Sequence, residues 1–259
     1  MSILIMVKPV KNCGKRREKA TRLTGPIAAL SAALLALCSG SSTAAQTSGA
    51  ASPSNHTSAT ATGLDDNGHL HSVSLPTDVA FAYARLTNGV QLRVGSITKQ
   101  IIFYGLDTVR VNANLGENYW TAPSLVVISK PQLIPFTLGE TGDTLTIKSA
   151  KLRIEISKAT GALRFFDGTG KLYTEEKADA PQVLKKVTIT GAPTLEARNS
   201  FRLRPDEAIY GFGFNSEDQS NRRGKELLLV QTNVGIIIPV MMSSRRYGVM
   251  WDIYSQMRF

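Results

Sequence analysis

Cysteine is almost missing from this chain: among 259 residues there are two, Cys13 and Cys38, both near the amino terminus. No disulfide framework and no thiolate metal site is therefore expected in the remainder. Histidine is as scarce. His56, His69 and His71 fall in one short stretch, and none follows. His69-x-His71 has no second ligand pair beside it, so no metal site and no cofactor is expected. Long apolar runs are also lacking. The stretch Ile27–Leu37 covers 11 residues, against the roughly 20 that cross a bilayer, so stable membrane insertion is not expected.

Positive charge is present but local. Residues 1–22 carry seven basic side chains against the single acid Glu18, which is six of the ten formal positive charges. The high pI belongs to this tail more than to the body, which argues against a nucleic-acid partner. A basic start, a short apolar stretch and small residues at Thr43-Ala44-Ala45 read as a signal peptide over residues 1–45, implying a periplasmic or extracellular protein. Residues 46–75 are rich in Ser, Thr, Ala and Gly and read as a disordered linker.

From residue 76 to 259 the pattern turns to β. Leu152, Ile154 and Ile156 alternate with Arg153, Glu155 and Ser157, the period of a half-buried strand. Turn signals recur at Asn88-Gly89, Gly105-Leu106-Asp107, Thr160-Gly161 and Asp167-Gly168-Thr169-Gly170. No segment shows a helical period. The expected fold class is all-β, an antiparallel β-sandwich.

One stretch asks for a function: "IYGFGFNSEDQSNRRGKELLLVQ", residues 209–231. Gly211-Phe212-Gly213 lacks the third glycine of a dinucleotide fingerprint and the Lys-Ser/Thr ending of a phosphate loop, and no helix follows. Glycines here serve a sharp turn or close backbone approach. From spacing alone, the polar segment after them reads equally as a solvated, charge-balanced turn.

Tyr210, Gly211, Gly213, Asn221, Arg223, Gly224, Gln231, Asn233, Pro239, Ser243, Ser244, Tyr247, Gly248, Trp251 and Asp252 follow a pattern that resembles the region ahead of the catalytic barrel in glycoside hydrolase family 31, its α-xylosidase-like branch in particular. The resemblance spans roughly residues 78–259. It implies a galactose-mutarotase-like supersandwich whose loop after Tyr-Gly-x-Gly helps to frame a sugar pocket. Phe214, Asn221, Arg222 and Arg223 are the substrate-binding candidates it implies; Arg222 stands where the family has an aromatic. The implied partners are an α-linked oligosaccharide or glycoside and a (β/α)8 barrel in the same chain.

The family's catalytic aspartates lie on that barrel, and no Trp-x-Asp-Met-Asn-Glu-like motif occurs here. Retaining hydrolysis needs two carboxyls about 5–5.5 Å apart. The neighbours Asp206-Glu207 and Glu217-Asp218 do not meet that need, so no catalytic residue is expected in this chain. The reading is an amino-terminal scaffold domain of a secreted α-glycosidase; the alternative is an independent periplasmic carbohydrate-binding module. An aldose mutarotase is disfavoured because residues 76–259 hold no histidine for proton transfer. A sandwich ending at Phe259 is expected to leave an unpaired apolar edge near Ile236–Met242 or Val249–Tyr254, and so to aggregate. Trp251 is expected in the core; Tyr119-Trp120 is a candidate sugar platform.

Overall fold

Alternation in the sequence becomes two-faced strands in the computed structural model, which describes residues 2–7, 73–116, 124–214, 220–233 and 235–259. Residues 8–72, with the apolar stretch, most of the linker and all three histidines, lie outside the described residues, as does Tyr119-Trp120. Every regular element among the described residues is a strand.

In chain order these are β1 (Ser2–Val7), β2 (Phe81–Leu86), β3 (Gly89–Val94), β4 (Ile97–Gly105) and β5 (Thr108–Leu115). Then come β6 (Phe136–Thr141), β7 (Thr144–Ser149), β8 (Leu152–Ser157), β9 (Leu163–Asp167) and β10 (Leu172–Glu175). A hairpin, β11 (Gln182–Ile189) and β12 (Ala192–Asn199), precedes β13 (Ile209–Phe214), β14 (Leu228–Leu229), β15 (Ile236–Ser243), β16 (Tyr247–Asp252) and β17 (Met257–Arg258).

Two antiparallel sheets make the sandwich. The larger has the order β13-β15-β16-β1-β5-β4-β3-β2; the smaller is the meander β10-β9-β8-β7-β6. Leu152, Ile154 and Ile156 of β8 are fully buried, and their odd-numbered neighbours are partly exposed. They meet Leu92, Ile101, Phe103 and Val111 from the larger sheet in one continuous core. A core side chain of this size contributes about 1.5–3 kcal/mol by leaving water.

The expected turns are present, with one shift. The β2–β3 hairpin pairs Leu86 with Gly89, so Thr87-Asn88 form its tip and Gly89 opens the next strand. Gly89 is needed for a different reason: a Cβ there runs into the Ile101 carbonyl of β4. At the β9–β10 turn, Asp167 accepts from Thr169 N (2.8 Å), Thr169 Oγ1 (2.6 Å) and Lys171 N (2.9 Å). That ring explains the Asp-Gly-Thr-Gly spelling.

Buried ions sit between the layers. Lys99 Nζ lies 3.4 Å from Glu176 Oε2, with both side chains nearly inaccessible, and also donates to the Gly161 carbonyl at 2.9 Å. Burial pushes the Glu176 carboxyl above its ordinary range, and Lys99 draws it only partly back.

Three placements differ from the sequence reading. Residues 73–75, assigned to the linker, belong to the fold: Leu75 is buried, and Val73 exchanges main-chain hydrogen bonds with the Gln91 amide. The stretch 182–199, whose apolar-polar alternation and Gly191 turn read as a continuation of the meander, stands apart from it: β11 and β12 pair only with each other, and β12 is exposed nearly throughout. The unpaired edge is not where it was expected. β15 lies between β13 and β16, and β16 lies between β15 and β1.

The larger sheet instead ends at β13 and β2. What covers β16 is β1, six residues that the sequence places at the basic start of a leader. Alternation explains the fit: Ile3 and Ile5 are buried in the main core.

Candidate functional site

Residues 209–224 leave the sheet edge through a strained bend. Gly211, Phe212 and Gly213 have φ of 110°, 66° and 86°, and the β13–β15 register slips between Gly211 and Gly213. Left-handed backbone costs a side chain about 1–2 kcal/mol. Any Cβ at Gly211 or Gly213 also collides with the carbonyl of Val240 or Ile236. The bulge turns Phe212 inward. It is buried, 4.2 Å from the Phe259 ring centroid and 6.0 Å from that of Trp251. This is the close-approach role expected for these glycines, and Trp251 is in the core as expected.

Beyond the bulge the chain returns at Ser220 and is fastened under the sheet edge. Asn221 Oδ1 accepts from Ile209 N and Arg223 N, both at 3.1 Å. Arg222 N donates to the Ile209 carbonyl at 2.7 Å. Arg223 Nη1 donates to the carbonyls of Arg204 (2.7 Å) and Glu207 (2.9 Å).

Glu207 anchors the assembly. Its Oε1 accepts from Ser243 Oγ (2.5 Å) and Tyr247 Oη (2.6 Å), and its Oε2 from Arg204 N (2.9 Å). Burial, then the Glu207 carboxylate, drive the Tyr247 hydroxyl well above its ordinary pKa.

The four sequence candidates therefore divide. Phe214 is 68% exposed at the end of β13. Asn221 spends its side-chain oxygen and Arg223 its guanidinium on backbone, and Arg222 is buried rather than presented at the rim. Around Phe214 the outer side of β13 and β15 is apolar, with Tyr210, Ile236, Ile238 and Met242 exposed. Glu207, Ser243 and Tyr247 hold the loop in place. Their function was not read from the sequence, although Ser243 and Tyr247 lie in the resemblance pattern. The available signal was a glutamate three residues ahead of Tyr-Gly-x-Gly, followed by the apolar pair Ala208-Ile209.

The neighbouring acids do not converge. Glu207 is 2% exposed as a residue, while the Asp206 side chain is 79% exposed and faces Arg245. Glu217-Asp218 lie outside the described residues. Among the described residues no group of three His, Cys, Asp or Glu side chains is placed to hold a metal ion.

A two-sheet antiparallel sandwich with a glycine bulge opening into a fastened polar loop defines a galactose-mutarotase-like domain. Residues 98–259 match the glycosyl hydrolase 31 N-terminal galactose mutarotase-like domain, and the chain belongs to that family. It is 28% identical over 174 residues to an α-xylosidase of Saccharolobus solfataricus, covering 63% of this chain and 23% of that protein. It is 32% identical over 94 residues to α-xylosidase A of Aspergillus niger, covering 36% of this chain and 13% of that one. The crystal structure of a GH31 α-xylosidase from Xanthomonas citri superposes with a TM-score of 0.63 at 28% identity, over 67% of this chain and 19% of the other. The chain thus spans less than a quarter of the length of these relatives.

Proposed function

We propose that this chain is the sugar-framing amino-terminal domain of an exported α-glycosidase of the α-xylosidase or α-glucosidase type, with bond cleavage performed by a (β/α)8 barrel rather than by residues 1–259. The observation that carries this is the fastened loop. Its base is fixed by Glu207, Asn221 and Arg223, and an exposed aromatic, Phe214, stands at its entry. Rigid support under a polar rim is what positions sugar contacts at low entropic cost.

In this reading Phe214 offers an apolar face to a pyranose ring. Asn221, Arg222 and Arg223 act from beneath, through the loop they hold. The separation of Asp206 from Glu207 supports assigning the chemistry elsewhere, since no paired carboxyls flank a common space there. Export through a leader ending near Ala45 to the periplasm or the medium completes the proposal.

The test is calorimetry with xylose, glucose and their α-linked oligosaccharides, alongside hydrolysis of an aryl α-xyloside. Millimolar binding that weakens in Phe214→Ala, without turnover, is expected. Turnover by the purified chain that is abolished by altering one of its own carboxylates overturns the assignment of chemistry to a barrel. Absence of binding at 50–100 mM sugar (about the weakest range that calorimetry resolves,) overturns the framing role.

A further inference from the structure

Strand β1 lies inside the larger sheet with a partner on each side, although the chain between it and β2 is long. Ile3 lies opposite Trp251 and Val111, and Ile5 opposite Val249 and Val109. Both side chains are essentially inaccessible and join the main core. On the other face Leu4 packs against the cluster of Leu86, Ile102 and Tyr104.

An ion pair closes over that second face. Arg110 on β5 reaches Asp252 on β16, Nη2 to Oδ2 2.6 Å, and both side chains are buried. Arg110 sits opposite Leu4, and Asp252 opposite Ser2. The pair therefore straddles the strand that separates its two owners. Tyr254 Oη donates to the other Asp252 oxygen at 2.9 Å.

Without β1, the two flanking strands would stand about 9.5 Å apart, two strand spacings, each with a row of unpaired N–H and C=O groups. An extended peptide that pairs with both edges and fills pockets with alternate side chains is bound by strand addition. We propose that the space between β5 and β16 is a strand-acceptor site. Its ligand is the hexapeptide Ser2–Val7, held in cis in the intact chain and able to bind in trans once a cut between residues 8 and 54 frees it. A cut in that interval turns a covalent part of the sheet into a dissociable peptide, and order matters: folding before the cut retains it.

The experiment uses the full chain with a specific protease site placed within residues 46–54 and cut after folding. The expected result is that the small fragment co-elutes with the large one on gel filtration. A fluorescent peptide of residues 2–7 then replaces it, and exchange quickens at least tenfold in Asp252→Asn. A peptide carrying aspartate in place of Ile3 and Ile5 does not bind. Loss of the small fragment with unchanged circular dichroism and melting overturns the proposal, as does equal binding of the aspartate peptide. If the cut protein precipitates, hydrogen exchange on the uncut chain decides: amides of residues 3–6 protected like those of Val109–Val111 support the site, and immediate exchange sinks it.

Discussion

Tyr247 donates its phenolic hydrogen bond to Glu207 across 2.6 Å, joining β16 to the turn that precedes β13, and both residues are buried. The contact ties the base of the rim loop to the middle of the larger sheet. Tyr247→Phe leaves one carboxylate bond unmade without changing shape. A loss of about 1.5–3 kcal/mol is expected, in the range for hydrogen bonds to charged groups, read from urea unfolding. The alkaline limb carries the same sign: the folded-state pKa of Tyr247 is raised by burial and by Glu207. Its stabilising contribution is complete below the ordinary tyrosine pKa and is lost as pH climbs above it. Tyr247→Phe flattens that limb.

Gly213→Ala places a Cβ against the Ile236 carbonyl at a φ of 86°. Unfolding free energy is expected to fall by about 1–3 kcal/mol. Because Phe212 is held inward by this bulge, Trp251 fluorescence in a Trp120→Phe background should shift to the red. Unchanged fluorescence and stability would show that the bend is not needed.

Asp167 titrates the other limb. Burial opposes its charge more than any single hydrogen bond favours it, but the bonds from Thr169, Lys171 and Gly170 together outweigh it and hold the pKa below the ordinary value. Its contribution is present above the usual aspartate range and is lost as pH falls through the lowered folded value. Denaturant midpoints measured from pH 7 to pH 2.5 should drop less steeply in Asp167→Asn than in the parent. Parallel curves would refute the ring's electrostatic role.

Phe214 and Arg223 separate recognition from support. Phe214→Ala removes an exposed ring and should leave stability within about 0.5 kcal/mol while weakening sugar binding about tenfold, about 1.4 kcal/mol. Arg223→Ala strips two carbonyls of a charged donor and should cost about 1.5–3 kcal/mol. Calorimetry beside thermal melting distinguishes them.

Lys99→Met leaves Glu176 in the core without its cation. A loss of about 3–5 kcal/mol at neutral pH is expected for a broken buried pair. It should shrink toward acid: a raised carboxyl pKa keeps its full stabilising contribution below the ordinary glutamate range and loses it as pH rises through the folded value. A loss independent of pH would place the defect in packing instead.

Much of the sandwich was legible because period-2 burial is written directly in segments such as "LRIEIS", where each apolar residue points the same way. The turns were legible through glycine and aspartate, although Gly89 turned out to serve a neighbouring strand rather than a hairpin tip. Two things were hidden. Pairing partners distant in sequence leave no local trace, so nothing within Ser2–Val7 announces that it lies beside β16. Loop support was hidden for a related reason. Arg223 looks like a solvated charge until its carbonyl acceptors, 16 and 19 residues upstream, are folded beneath it.

The hairpin of β11 and β12 offers a practical handle. Its tip, Thr190-Gly191, has both residues at positive φ, a tight reversal suited to accepting inserted residues. Because β12 is exposed nearly along its length and the hairpin pairs with neither large sheet, a biotin-acceptor sequence spliced there would tether the protein to a sensor surface without interrupting the sandwich.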